Sequence, residues 1–496
     1  MDIFSTTITA GGLILNFLAA CSDFTDDAKS LKARFDWDLR AIQTVRDYFQ
    51  QRLAINANNQ LSPEDEALLE RTSGYLGDLM RKVERSLEKI ERNGWLQTAI
   101  NRAMWEMRQS TLQNLEREVF EWAQRFNVRI LGLPAELRAA LPAADEGNGV
   151  GAPAVVRSSN RLREFIALAK TTKEMRSKQM LLEDPDEIIS EIEDTSNIAT
   201  LPLEHGDKQL ILSSRRIPQS VTPGSARFNR MLFNMGELAA ALNCLDPAAN
   251  ICLLRVEYYF YYEASRQFLF AHAAPYPTTT MMTLEEMITF DAFPKAYSPL
   301  NKRLKLAYKL AEGVFFLHTA GFLHKNITSS SIVALQRPDN SNETGSSSID
   351  DVYLMGYDLI RGTQEKTSKE GANRDGEEGQ RSIWEFDIYQ HADRLKGMSA
   401  STYIGTYDLY SLGVVLLEIG FWQPLIEIVG NLYEVQPSGW TGYLVRAAMK
   451  LSPRIGIRYQ RLVLWCLKLG GNQNVNETEF METVLDPLED MANAMS

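Results

Sequence analysis

Between Met1 and Leu133 the chain contains a single proline, Pro63. Proline removes a helical hydrogen bond and clashes with the preceding turn, so it is tolerated at the start of a helix and excluded from its interior. Pro63 stands where a helix begins. Ser62 precedes it as a cap, and Glu64, Asp65 and Glu66 supply negative charge to the first turn. Leu76, Met80, Val83, Leu87 and Ile90 repeat at spacings 4-3-4-3, and Leu112, Leu115, Val119, Trp122 and Phe126 at 3-4-3-4. Both are narrow apolar stripes that must face other helices. Each is too short for an extended coiled coil, and Asn93-Gly94 breaks the chain between them, so residues 1–133 are predicted to form an antiparallel all-α bundle.

The rest of the chain changes texture twice. AELRAALPAADEGNGVGAPAVVRSSN is small and polar and reads as a linker. The charged run from Arg161 to Asp194 reads as a helix bridging through solvent, so residues 134–199 are taken as linker and brace. From about residue 200, QLILSSRRI and CLLRVEYYFYYEASRQFLFAHA are rich in β-formers around a short turn, with ARFNRMLFNMGELAAALNCL between them as helix. After residue 300 the pattern is again helical. It is interrupted by two low-complexity runs, RPDNSNETGSSSIDD and GTQEKTSKEGANRDGEEGQRS, read as surface loops whose Ser and Thr at 340–348 and 363–382 are candidate modification sites.

Composition excludes several classes. A net charge of −12 argues against a nucleic-acid binder that relies on overall charge. The four cysteines lack C-x-x-C spacing and read as reduced, buried thiols of an intracellular protein. The five histidines show no paired-ligand spacing, so no metal site is expected. The apolar start MDIFSTTITAGGLILNFLAAC carries no Lys or Arg before Lys29, unlike a secretory signal, and no 18-residue apolar run occurs. A cytoplasmic protein is expected.

Three motifs then fall in order: GVFFLHTAGFLHKNITSSSIVAL, DDVYLMGYDLIRG and YDLYSLGVVLLEIGFWQPL. They resemble the catalytic loop, the D-F-G segment and the D-x-Y-S-x-G helix of protein kinases. The resemblance implies an α+β bilobal kinase-like fold over residues 200–485, within a multidomain chain. It also implies which parts of the phosphoryl-transfer machinery should be present. The base position holds Asn326, whose amide cannot accept a proton at neutral pH. Thr328 stands where many kinases carry Lys, and Ser331 at the metal-binding Asn. The D-F-G positions become Gly356, Tyr357 and Asp358, so the metal carboxylate is missing unless the shifted Asp358 substitutes for it.

The nucleotide-binding half is equally degenerate. Gly206 is the single glycine offered to a phosphate loop. Arg215 takes the place of the strand Lys, or Ser214 does in a shifted register. The paired helix Glu falls near Met231, and A-P-E aligns with His391-Ala392-Asp393. Asp408 keeps the structural Asp of its helix, and His324 reads as a packed loop residue. The resemblance therefore implies a pseudokinase with no required cofactor or metal, leaving room for weak ATP binding near Gly206 and Arg215. An active kinase with displaced residues and a non-lytic interaction scaffold are the alternatives.

The bundle, in TAGGLILNFLAACSDF, DAKSLKARFDWDLRAIQTVRDYF and LEREVFEWAQRFNVRILGLP, resembles the fungal HeLo family. The order of bundle, brace and kinase-like domain is similar to mixed-lineage-kinase-domain-like pseudokinases. This resemblance implies a role in regulated cell death, self-association through the bundle, transient binding to the plasma membrane and an upstream protein partner. Residues 3–21 as a helix would span about 28 Å. Gly11 and Gly12 would allow close helix approach, while Ser5, Thr6, Thr7, Thr9 and Asn16 would need partners in lipid.

Overall fold

The computed structural model describes residues 2–21, 26–55, scattered positions of 61–85, 124–141, 153–168, 179–194, 202–217, 221–246, 249, 251–289, 299–338, 351–356, 361–362, 386–395, 403–430, 432, 435–471 and 473–495. The chain divides into two compact units, Met1–Arg157 and Ser158–Ser496. Among the described residues it is mostly helical, with antiparallel sheets in the second unit.

In the first unit, α1 (Asp2–Cys21) packs along α2 (Asp26–Ile55). Phe4, Thr7, Gly11, Ile14 and Leu18, spaced at three and four residues, form the buried face of α1, while Ser5, Thr6, Thr9 and Asn16 are exposed. Gly11 sits so close to Leu39 of α2 that an added Cβ would overlap its methyl groups, whereas Gly12 faces open space. Phe4 and Phe49 pair with ring centroids 6.3 Å apart. No helix of the described residues is long and apolar enough to cross a membrane. Ser62 caps as expected, its Oγ accepting from the Asp65 N–H at 3.1 Å. Leu76 is buried, but most of the two apolar stripes, from Met80 to Ile90 and from Leu112 to Trp122, lies outside the described residues.

The stretch read as linker and brace is more ordered than expected. It contains the helices Ala135–Ala139, Ala154–Leu168 and Asp186–Asp194. The last does not bridge through solvent. Its Ile188 and Ile192, four residues apart, are 1% and 5% exposed and join Leu203, Leu210, Phe260, Leu269 and Ala271 in one core. One buried apolar residue per helical turn sufficed to dock a helix whose composition is otherwise acidic.

The sheet under that helix has the order β1 (Leu203–His205), β2 (Lys208–Arg216), β4 (Gln267–Ala273), β3 (Val256–Tyr262), all antiparallel. The helix Ala226–Asn243 connects β2 to β3, with Ser225 as its N-cap. It covers the opposite face, where Phe228 meets Tyr261 and Phe268 at 5.0 and 5.5 Å. The alternation of the strands thus feeds two cores, one per face. A second sheet orders β5 (Thr280–Thr283), β7 (Ile332–Gln336) and β8 (Val352–Leu354). A two-stranded ribbon joins β6 (Phe322–Leu323) to β9 (Arg361–Gly362). Ile211, Leu254, Met281, Leu335, Tyr353 and Met355 fill the space between the first and second sheets.

Below them lies a helical layer built on Gly405–Phe421, in which every residue from Thr406 to Phe421 is buried. Leu300–Thr319 and Ile457–Lys468 pack against it. This core helix positions the site.

Candidate functional site

The loop from His324 to Ser331 follows β6 and is buried at seven of its eight positions. It is held from below by Asp408, which is fully buried on the core helix. The Asp408 carboxylate accepts from the His324 and Lys325 backbone N–H groups and from the Tyr403 hydroxyl, each at 2.8 Å, and its Oδ2 lies 3.0 Å from His318 Nε2. Burial alone would raise this carboxyl. The hydrogen bond and charge of His318, with the Tyr403 hydroxyl, outweigh burial and hold it below the ordinary carboxylate value. Lys325 adopts a φ of 66°, a left-handed conformation that turns the chain so that two successive N–H groups reach one carboxylate. His324 is fully buried, and desolvation pushes its imidazole down to about 4. It serves as a neutral packed side chain whose Nδ1 accepts from the Asn326 N–H at 3.3 Å.

The structure brings Asn326, Thr328, Ser331 and Gly356 together. The Asn326 Nδ2 donates to the Gly356 carbonyl at 2.8 Å. The side-chain amide is thus bonded to nearby backbone. Ser331 and Thr328 close on each other. The Thr328 N–H donates to Ser331 Oγ at 3.0 Å, the Ser331 N–H to Thr328 Oγ1 at 3.2 Å, and the Ser331 hydroxyl to the Thr328 carbonyl at 2.8 Å. They form a capping box around a short turn, so neither side chain is presented as a ligand.

Gly356 has φ +75°, and a Cβ built there would stand 2.9 Å from both Asn326 Nδ2 and Ser331 Cβ. The space a side chain would need at position 356 is therefore occupied by the neighbours, and the backbone disfavours any side chain. Asp358, the proposed substitute, lies outside the described residues.

Gly206 and Arg215 are not brought together. Gly206 occupies the turn between β1 and β2. Arg215 lies seven residues beyond Lys208 on β2, about 23 Å away at a rise of ~3.3 Å per residue. Alternation places the two candidates on opposite faces of the strand. Ser214 is exposed, while Arg215 points to the helix-covered face, where its Nη1 lies 3.8 Å from Met235 Sδ. The partner expected at Met231 is thus Met235, one turn on. On the same face, Ser213 Oγ is 2.9 Å from Nε2 of the buried His272, which desolvation lowers to about 4. The His391-Ala392-Asp393 segment forms a short turn, with the His391 ring 5.3 and 5.1 Å from Tyr407 and Tyr410.

Sequence reasoning missed a second clamp on the loop. The Tyr389 hydroxyl lies 2.7 Å from Ser329 Oγ and donates to Glu418 Oε2 at 2.9 Å. Burial pushes Glu418 up to about 8. No short motif announces this chain, because its members are 60 and 29 residues apart. His318 and Tyr403 were missed as well, although His318 lies within the first motif and Tyr403 four residues before the third.

The arrangement positions backbone, with Asp408 under the loop and the Asn326 amide on the Gly356 carbonyl. Among the described residues no group of His, Cys, Asp and Glu converges to hold a metal ion.

No family model matches the chain. A curated relative, eukaryotic translation initiation factor 2-alpha kinase 1 of Rattus norvegicus, is 31% identical over 115 residues, which are 23% of this chain and 17% of that protein. The match thus spans about a sixth of the relative's length. Together with the helix-and-sheet architecture of the second unit, it fits a kinase-like domain.

Proposed function

We propose that residues 200–485 form a bilobal protein-kinase-like domain that signals by shape and contact and transfers no phosphate. The observation that carries this is the sealed position at Gly356, where Asn326 and Ser331 occupy the space a metal-binding carboxylate would need. Phosphoryl transfer depends on metal-bound phosphates and a positioned acceptor for the substrate proton. Here an amide donor replaces the acceptor. Met231 stands where the paired helix Glu would be, and Gly206 sits in a distant turn. Incubation of the purified chain with labelled ATP, Mg²⁺ or Mn²⁺ and a generic substrate tests the reading. No transfer is expected, and no thermal shift beyond that of weak nucleotide binding. Transfer abolished by Asn326→Ala or Asp358→Ala would replace it with an active kinase.

We further propose that this domain restrains the N-terminal helical unit, a HeLo-like effector that self-associates and acts at the plasma membrane in a cell-death pathway. What supports this is the resemblance of residues 1–133, the buried face of α1 and the exposed hydroxyls opposite it. An α1 released from Leu39 and Phe49 would need new partners for those hydroxyls, hence oligomers. Expression of the chain with and without residues 1–20 tests this. Killing that depends on them, with leakage of anionic vesicles, is expected. Equal viability with both forms would leave a non-lytic scaffold as the better reading.

A further inference from the structure

Two stretches of the second unit are each of one charge sign along the chain. Between Lys178 and Lys208 lie nine carboxylates and no Lys or Arg. Between Glu434 and Glu477 lie six cations, Arg446, Lys450, Arg454, Arg458, Arg461 and Lys468, and no carboxylate, in a chain of net charge −12.

The acidic stretch is centred on helix Asp186–Asp194, anchored by Ile188 and Ile192, with Glu183, Asp184, Asp186, Glu187 and Glu193 exposed. Glu191 pairs with His205 at 2.7 Å, and Glu193 accepts from the Tyr262 hydroxyl at 3.5 Å. The basic stretch runs over helices Pro437–Ala448 and Ile457–Lys468 and the turns between them, and all six cations are exposed. Among them stand Met449 and Ile457, 56% and 48% exposed. Three guanidinium groups are already ordered. Arg446 lies 4.3 Å over the Tyr443 ring, Arg454 lies 5.1 Å over Phe421, and Arg458 is 2.8 Å from Asp490. Within one chain the acidic helix packs on β1 and the basic helices on the core helix, so the two stretches rest on different elements.

We infer that these stretches dock on each other between copies, the acidic helix of one chain seated on the basic, Met449- and Ile457-bearing edge of the next. Pre-ordered guanidinium groups suit planar carboxylates, and the apolar pair supplies area that charge alone does not. The matching array of carboxylates is on the same molecule. At physiological salt the Debye length is ~8 Å, so the mutual repulsion of two acidic chains is screened at their separation while pairs in direct contact persist. The contact joins different patches on the two copies, so assembly closes into a ring or extends into a chain according to the rotation between them. It involves neither the helical unit nor the loop at Asn326.

Sedimentation velocity on the full chain tests this, over concentrations from about 1 to 100 µM and at about 50 and 500 mM salt. Concentration-dependent association that weakens with salt is expected. Lys450→Glu/Arg461→Glu and Glu183→Lys/Glu187→Lys should each weaken it by roughly tenfold or more. An equimolar mixture of the two variants should restore it, because each keeps the patch the other has reversed. Circular-dichroism melts matching the parent chain establish that both variants are folded. A wild-type chain that stays monomeric at the highest concentration overturns the inference. So does association unchanged in both variants, or a mixture that does not recover. Loss of phosphatidylserine-vesicle binding in the Lys450/Arg461 variant of a monomeric chain would assign the edge to lipid instead.

Discussion

Replacing Asp408 by alanine should loosen the loop at Asn326 more than any change within the loop itself. The carboxylate holds three buried donors, the His324 and Lys325 N–H groups and the Tyr403 hydroxyl, and a fourth at His318. Each buried donor left without an acceptor costs about 1–3 kcal/mol, so three cost about 3–9 kcal/mol, and water admitted into the space brings the expected loss to about 5 kcal/mol. For a unit of this size that is a fall in melting temperature on the order of 10 °C. Asp408→Asn keeps one acceptor oxygen but turns an amide donor toward donors, and should cost about half as much. Asn326→Ala removes one hydrogen bond, to the Gly356 carbonyl, and should cost only about 1 kcal/mol. Thermal melts of the full chain give the ranking, and hydrogen exchange of the peptide containing His324 and Lys325 localises it. Asp408→Ala that melts within about 2 °C of the parent, with unchanged exchange at those amides, would refute the claim that this carboxylate organises the loop.

Acid sensitivity should trace to His272 and His324. Burial lowers both to about 4, against about 6.5 unfolded. The unfolded chain therefore binds more protons across that window, so stability falls as pH drops from about 6.5 to about 4, by up to about 3 kcal/mol per histidine. Denaturant titrations at several pH values should show the slope, reduced in His272→Gln. Gly356→Asp should not recover transfer and should destabilise by about 3 kcal/mol, from a left-handed φ and overlap with Asn326 and Ser331. Part of that cost should return in the Asn326→Ala background, as a double-mutant cycle by urea unfolding would measure. Gly11→Ala should push α1 off Leu39 at a cost of about 1–3 kcal/mol, whereas Gly12→Ala should gain up to about 1 kcal/mol. Opposite shifts of the melting midpoint are the readout.

The elements of the second unit were largely legible. The β-forming runs at 209–217 and 252–273, the helix between them and the buried helix at Gly405–Phe421 all formed, because alternation and apolar runs are local signals. The linker was misread. Small polar residues hid the first half of the helix Ala154–Leu168, up to Asn160, while its second half fell in the run read as helix, and the charges of 183–194 outweighed the two isoleucines that dock the last helix. Within the site, the motifs marked Asp408 and the Asn326 loop, and the fold places one under the other. Its second anchor, from Ser329 through Tyr389 to Glu418, did not, since nothing nearby in the chain marks those three as neighbours.

What the linear order of residues determined by itself is chemical identity and local shape: an amide at 326, no acid at 356, one helix-starting proline before residue 134, strands where β-branched and aromatic side chains gather. Only the folded chain decided that Arg215 meets Met235, that Gly206 stands a strand's length away, and that Asn326 and Ser331 fill the space beside Gly356. Those outcomes depend on strand register, the sign of one φ angle and contacts across tens of residues. They are set by the joint burial of segments that no single stretch of sequence contains.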